Sequence, residues 1–116
     1  MFFLRWTEGA SEEYARLKAK AAAAALGARR QKARAKSSRD EGLFKQVHKC
    51  VSLLAENPRH PGLHTHEYLS LAHPFNPQEK VFEAYVQNST PGAYRVFWCY
   101  GPAAGQITVI AITPHP

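Results

Sequence analysis

The sequence predicts an α+β fold: two N-terminal helices packed on a mostly antiparallel sheet of four to five strands, in the order β-α-α-β-β-β-β. Three observations predict it. Helical periodicity is confined to residues 11–57, and strand-like patterning to residues 63–113, with one short strand ahead of the helices. The later strand-like segments are joined by short turns rich in proline and glycine, as antiparallel neighbours are. A length of 116 residues with 45% hydrophobic content suits one domain, 1–116, around one core.

The elements follow in order. In residues 2–7, Phe2, Leu4 and Trp6 alternate with Phe3, Arg5 and Thr7, an aromatic-rich strand pattern. Residues 11–36 read as one long helix, with Ser11 as its cap and Glu12 and Glu13 at its positive end. Tyr14, Leu17, Ala21, Ala25 and Ala28 share a face, and the five alanines from Ala21 to Ala25 favour helix while letting another helix approach closely. Ser37-Ser38-Arg39-Asp40-Glu41-Gly42 reads as a break, followed by a second helix over about 40–57. There Leu43, Val47, Val51 and Leu54 form the apolar stripe. Asn57-Pro58 ends it, because a residue before proline avoids the helical region. Strands are expected at 63–69, 81–87, 94–100 and 106–113, with a loop at 73–77 and turns at 58–62, 88–92 and 101–105.

Charge is unevenly placed. The net charge of +6 lies entirely in residues 1–40, which carry ten basic and four acidic residues; the remainder is neutral. Between Arg16 and Lys36 stand eight basic residues and no acid. Such a stripe is either a solvated helix face or a surface for RNA, DNA or an acidic protein. No apolar run approaches the roughly 18–20 residues of a membrane helix, and Met1 to Thr7 is too short and lacks the basic leader of a signal peptide. A soluble, cytoplasmic protein is expected. Cys50 and Cys99 fall in different elements and form no Cys-x-x-Cys pattern, so both read as buried thiols. Phosphate-loop, dinucleotide, zinc-protease and nucleophile-elbow motifs are all missing from the sequence.

The order of parts resembles a known family. A strand ending in Trp6-Thr7 precedes two helices. Then come Glu56-Asn57-Pro58-Arg59-His60-Pro61-Gly62-Leu63, a β-meander containing Tyr94-Arg95-Val96-Phe97-Trp98, and a final strand closing on His115. This resembles the RelE/ParE toxin superfamily of bacterial type II toxin–antitoxin systems. The resemblance covers nearly the whole chain in element order, and its specific part is residues 56–68, 94–98 and 115. It implies a ribosome-dependent mRNA endoribonuclease that inhibits translation, with a cognate antitoxin, the ribosome and mRNA as partners. The alternative is a ParE-like gyrase poison, or a non-catalytic member binding an acidic protein. Cleavage of that kind uses the RNA's own 2′-OH and needs a base, charge stabilisation at phosphorus and an acid, with no metal or other cofactor.

The resemblance makes Arg95 the phosphate-binding arginine. Within its strand Arg95 shares a face with Phe97 and Cys99, opposite Tyr94, Val96 and Trp98; its other reading is a salt bridge to Glu83 or Glu67. His115, just beyond the last strand, takes the role of general acid or base, or else belongs to a frayed end. His66 is the second proton carrier, on the expected strand with His64. His64 and His66 lack third and fourth ligands at a standard spacing, so no metal site is expected. Glu67 and Glu83 are possible bases or orienting carboxylates. Arg29, Arg30, Lys32, Arg34, Lys36 and Lys80 are the expected RNA contacts. Tyr68 and Trp98 could stack on bases, but alternation turns Trp98 toward the core.

Overall fold

The computed structural model describes residues 1–31, 34–88 and 91–115; for 28–31 and 34–38 it describes the backbone alone. The elements are β1 (Phe3–Trp6), α1 (Glu8–Gln31), α2 (Arg34–Glu56), a 3-10 turn (Pro61–Leu63), β2 (His66–Glu67), β3 (Phe82–Tyr85), β4 (Tyr94–Tyr100) and β5 (Gln106–Pro114). The sheet runs β1-β5-β4-β3-β2. Only the β1–β5 pairing is parallel, since both helices lie between those strands in sequence; the other pairs are antiparallel. This is the predicted α+β arrangement.

Helix boundaries differ from expectation at both ends of α1. The helix starts at Glu8 because Thr7, not Ser11, caps it: the Thr7 hydroxyl accepts from the Ala10 N–H at 3.1 Å. The same hydroxyl donates to the Ile110 carbonyl at 2.7 Å, fastening the helix start to β5. The expected break at 37–42 lies inside α2. A serine pair and one glycine cost a helix only about 1 kcal/mol per glycine and less per serine. Packing of α2 against α1 overcomes that, with Tyr14 against Phe44 and Lys20 Nζ 3.9 Å from Asp40. These pairings make α1 and α2 an antiparallel hairpin.

Among the described residues, only those in the half of the hairpin nearest the sheet contribute to the core. Ala10 and Leu17 of α1 and Val47, Cys50, Val51 and Leu54 of α2 pack with Leu63, Ala84, Val96, Trp98, Ile107, Val109 and Ile112. Beyond Ala21, no described side chain of α1 is buried, and the molecule is accordingly elongated, 51 × 26 × 22 Å. Among the described residues, no helix is long and apolar enough to cross a membrane. Cys50 and Cys99 are buried free thiols, and burial pushes them up to about 12 and about 11.

Two local departures shape the sheet. The register between β4 and β5 shifts at Phe97/Trp98, so Phe97 faces Ala111 while Trp98 faces Val109. The extra residue, Ile110, lets Ile107, Val109 and Ile112 all reach the core despite their uneven spacing. The strand expected over 63–69 shrinks to His66–Glu67. Leu63 is instead buried by the 3-10 turn, whose cap is the His60 ring: Nδ1 accepts from the Gly62 N–H at 2.9 Å. His64 then adopts a left-handed conformation, φ 48°, which turns the chain into β2. The expected strand at 81–87 is confined to β3, and the expected turn at 88–92 lies partly outside the described residues.

Candidate active site

The sheet has two faces, and alternation along β3 and β4 sorts their side chains. Ala84, Val96 and Trp98 face the helices. Glu83, Tyr85, Arg95, Phe97 and Cys99 therefore take the other face. The loop 68–81 folds over part of it, with the Tyr68 ring 4.6 Å from Phe97 and the His73 Nε2–H donating to the Tyr100 carbonyl at 2.9 Å. The His73 Nδ1 accepts from the N–H groups of Phe75 and Asn76 at 3.1 and 3.0 Å, so this ring organises the loop.

Glu83 lies at the centre of what remains. It sits on β3, with His66 of β2 beside it and Phe97 of β4 on its other side. Its residue exposure is 2%. Glu83 Oε1 lies 2.6 Å from His66 Nε2, and Oε2 lies 2.9 Å from His115 Nδ1 and 4.0 Å from Arg95 Nε. An isolated carboxylate would be expensive to bury, by several kcal/mol, and these three cationic or proton-bearing partners offset that cost. Both imidazoles are about half exposed, so the carboxylate is hidden while its histidines reach solvent.

The two rings are held differently. His66 Nε2 faces the carboxylate and its Nδ1 lies 3.1 Å from the His64 carbonyl. Both nitrogens thus lie against oxygens, one on Glu83 and one on the backbone. His115 is anchored through Nδ1 alone, and its Nε2 has no hydrogen-bond partner among the described residues. Its backbone N–H donates to the Ala93 carbonyl at 2.8 Å, so the residue is fixed to the sheet at a second point.

Arg95 is 8% exposed. Nη1 donates to the carbonyls of Gln87 and Tyr94 at 2.6 and 3.1 Å, and Cζ lies 3.8 Å from the Tyr85 ring centroid. The guanidinium thus engages Glu83 electrostatically from within the protein. Tyr85 also meets the rings of His64 and His66 at 5.3 and 5.7 Å.

Of the residues singled out from sequence, Arg95, His66 and His115 gather around one carboxylate. Lys80 does not join them; its Nζ lies 3.9 Å from Glu67 at the surface. The side chains of Arg29, Arg30, Lys32, Arg34 and Lys36 lie outside the described residues. Glu83 stands at the hub although sequence reasoning gave it only a secondary place. The available signal was a carboxylate inside the otherwise apolar and aromatic run Phe82–Tyr85. Tyr85 and the left-handed His64 had no comparable signal. No group of three or more His, Cys, Asp or Glu among the described residues is arranged to hold a metal ion.

No protein-family model matches this chain, and no curated relative matches it. Among solved structures it is similar to a YoeB/ParE toxin from Agrobacterium tumefaciens, with a TM-score of 0.55 at 10% identity. The match covers 98% of this chain and 99% of that one. A likeness at this identity is a likeness of fold.

Proposed function

We propose that this chain, with the fold of a YoeB/ParE toxin and a paired-imidazole cluster on the open face of its sheet, is the toxin of a type II toxin–antitoxin system acting as a ribosome-dependent mRNA endoribonuclease. The observation that carries the reading is Glu83 bridging His66 and His115, two rings that remain half exposed. Cleavage by the RNA's own 2′-OH forms a 2′-O–P bond and breaks the P–O5′ bond. One proton leaves the 2′ oxygen and another reaches the 5′ oxygen. His115, with Glu83 holding its Nδ1 proton, presents a free Nε2 that accepts the first. His66, the second imidazole on Glu83, supplies the second once its Nδ1 swings away from the His64 carbonyl. Glu83 orients both rings, much as the carboxylate orients the imidazole of a hydrolytic triad. Arg95 acts through Glu83 as a positioning residue. Lys80 and the basic residues Arg29, Arg30, Lys32, Arg34 and Lys36 would contact RNA, and a cognate antitoxin would cover these charges. The cytoplasm follows from the substrate.

One observation favours a second reading, a ParE-like gyrase poison or a non-catalytic member holding an acidic partner. Arg95 is buried with Nη1 committed to two carbonyls, unlike an arginine presented to an incoming phosphate.

The two readings separate in one experiment. Purified protein added to translating ribosomes should cut mRNA within the coding region, mapped by primer extension. His115→Ala should lower the rate about 10²–10⁴-fold while circular dichroism stays unchanged. Intact mRNA together with inhibited supercoiling by gyrase would sink the nuclease reading in favour of its rival.

A further inference from the structure

The helix-facing side of the sheet holds a feature that the Glu83 cluster does not use. A cleft of 470 Å³ opens between the 58–65 link and the aromatic end of β3 and β4. Its walls include Phe82, Trp98 and Tyr100 on one side and Arg59, His64 and Thr65 on the other. The volume lies within the range of small-molecule sites, about 300–1,000 Å³.

Three independent observations indicate what such a cleft would hold. First, two of its lining residues carry buried polar atoms without a hydrogen-bond partner: the Trp98 indole Nε1 and the Thr65 hydroxyl. Trp98 is 1% exposed, and a buried indole N–H ordinarily finds an acceptor. Second, the rings form a layered aromatic wall. Phe82 stacks on Trp98 at 4.8 Å and 29°, and Tyr100 meets Trp98 edge-on at 5.0 Å. Third, the cleft's charge is one-signed. No carboxylate lines it, and Arg59 is exposed and in no ion pair among the described residues. A flat aromatic group with a hydrogen-bond acceptor and an attached anion answers all three.

We propose that this cleft is a nucleotide-binding subsite, taking a nucleobase against its aromatic wall with an acceptor toward Trp98 Nε1 and Thr65, and the 5′-phosphate on Arg59. Bases commonly bind by stacking on aromatic side chains, and arginine suits phosphate. The subsite is separate from the Glu83 cluster but adjoins it through chain neighbours: Thr65 precedes His66, and Phe82 precedes Glu83. The proposal does not depend on RNA cleavage, since a mononucleotide could seat here whether or not the cluster is a nuclease.

The test uses the full chain without ribosomes and adenosine 5′-monophosphate as the probe. Titration should shift the Trp98 indole N–H resonance saturably, with that signal identified by its contrast with Trp6→Phe. Ribose 5-phosphate should bind at least about tenfold more weakly, because it lacks the base. Arg59→Ala should weaken the nucleotide about tenfold, the loss of one charge-assisted phosphate contact. Thr65→Val, nearly isosteric and therefore folded, should weaken it severalfold; Glu13→Gln, on α1, should leave it unchanged. The proposal is overturned by an unmoved Trp98 signal, by equal binding of ribose 5-phosphate, by indifference to both Arg59→Ala and Thr65→Val, or by loss of binding in folded Glu13→Gln. A shift produced by N-acetyltryptophanamide but not by the nucleotide would also overturn it, marking a peptide side-chain site instead.

Discussion

The two faces of the sheet solve opposite problems with the same strands. The helix-facing side is filled by apolar side chains from α1, α2, β3, β4 and β5, and its packing drives folding without direction. The opposite side buries Glu83 and Arg95, whose placement is directional: each needs named partners at hydrogen-bond or ion-pair distance. Substitutions in the packed core of the first face, away from the cleft beside Trp98, should therefore act on stability alone. Those on the second should couple stability to function. That difference explains how a chain with so little sequence kinship to a solved toxin can keep its fold while its chemistry remains a separate question.

The sharpest break of the comparison is a core truncation. Leu54→Ala, at a residue with 0% exposure, should cost about 2–5 kcal/mol, read as a lower midpoint in urea. On the other face, Glu83→Gln keeps the shape but leaves Arg95 and His66 without their carboxylate. It should cost about 1–3 kcal/mol and abolish any mRNA cleavage. Equal stability of wild type and Glu83→Gln would mean the cluster is not held as described. Thr7→Ala removes a cap that also tethers β5, and should cost about 1 kcal/mol by the same measurement.

The smallest effect belongs to neither face. Arg16 hydrogen-bonds to Glu13 at 2.6 and 2.9 Å and holds its carboxyl below the usual range. A lowered folded value means the pair contributes above the ordinary carboxylate titration and loses its contribution as pH falls through the lowered one. Both side chains are solvent-accessible, so Glu13→Gln should cost under about 0.5 kcal/mol at pH 7 and nothing at pH 2.

Part of the site was legible in the sequence. Strict alternation over Tyr94–Tyr100 placed Arg95 with Phe97 and against Trp98, because a strand's period of two leaves no freedom once one face is buried. Salt bridging to Glu83 or Glu67 was one reading of Arg95, and the structure pairs it with Glu83. The strand expected for His64 and His66 formed only at His66–Glu67. The 3-10 turn buries Leu63 and the left-handed His64 redirects the chain, yet His66 still lands opposite Glu83. The break at 37–42 failed because local propensities worth a kcal/mol or less yield to helix–helix packing.

The sequence by itself determined the element order, the class of fold and which face of β4 each residue takes. These follow from periodicity and chain connectivity, which are local and repeat along the chain. Only the tertiary structure decided that Glu83 is the hub. Its partner His115 lies 32 residues away and meets it only because β4 runs between their strands in the sheet. It also decided that Ile110 bulges so that β5 can fill the core, and that Trp98 and Thr65 leave polar atoms facing no partner. Such facts depend on strand order and register, which no stretch of sequence carries alone.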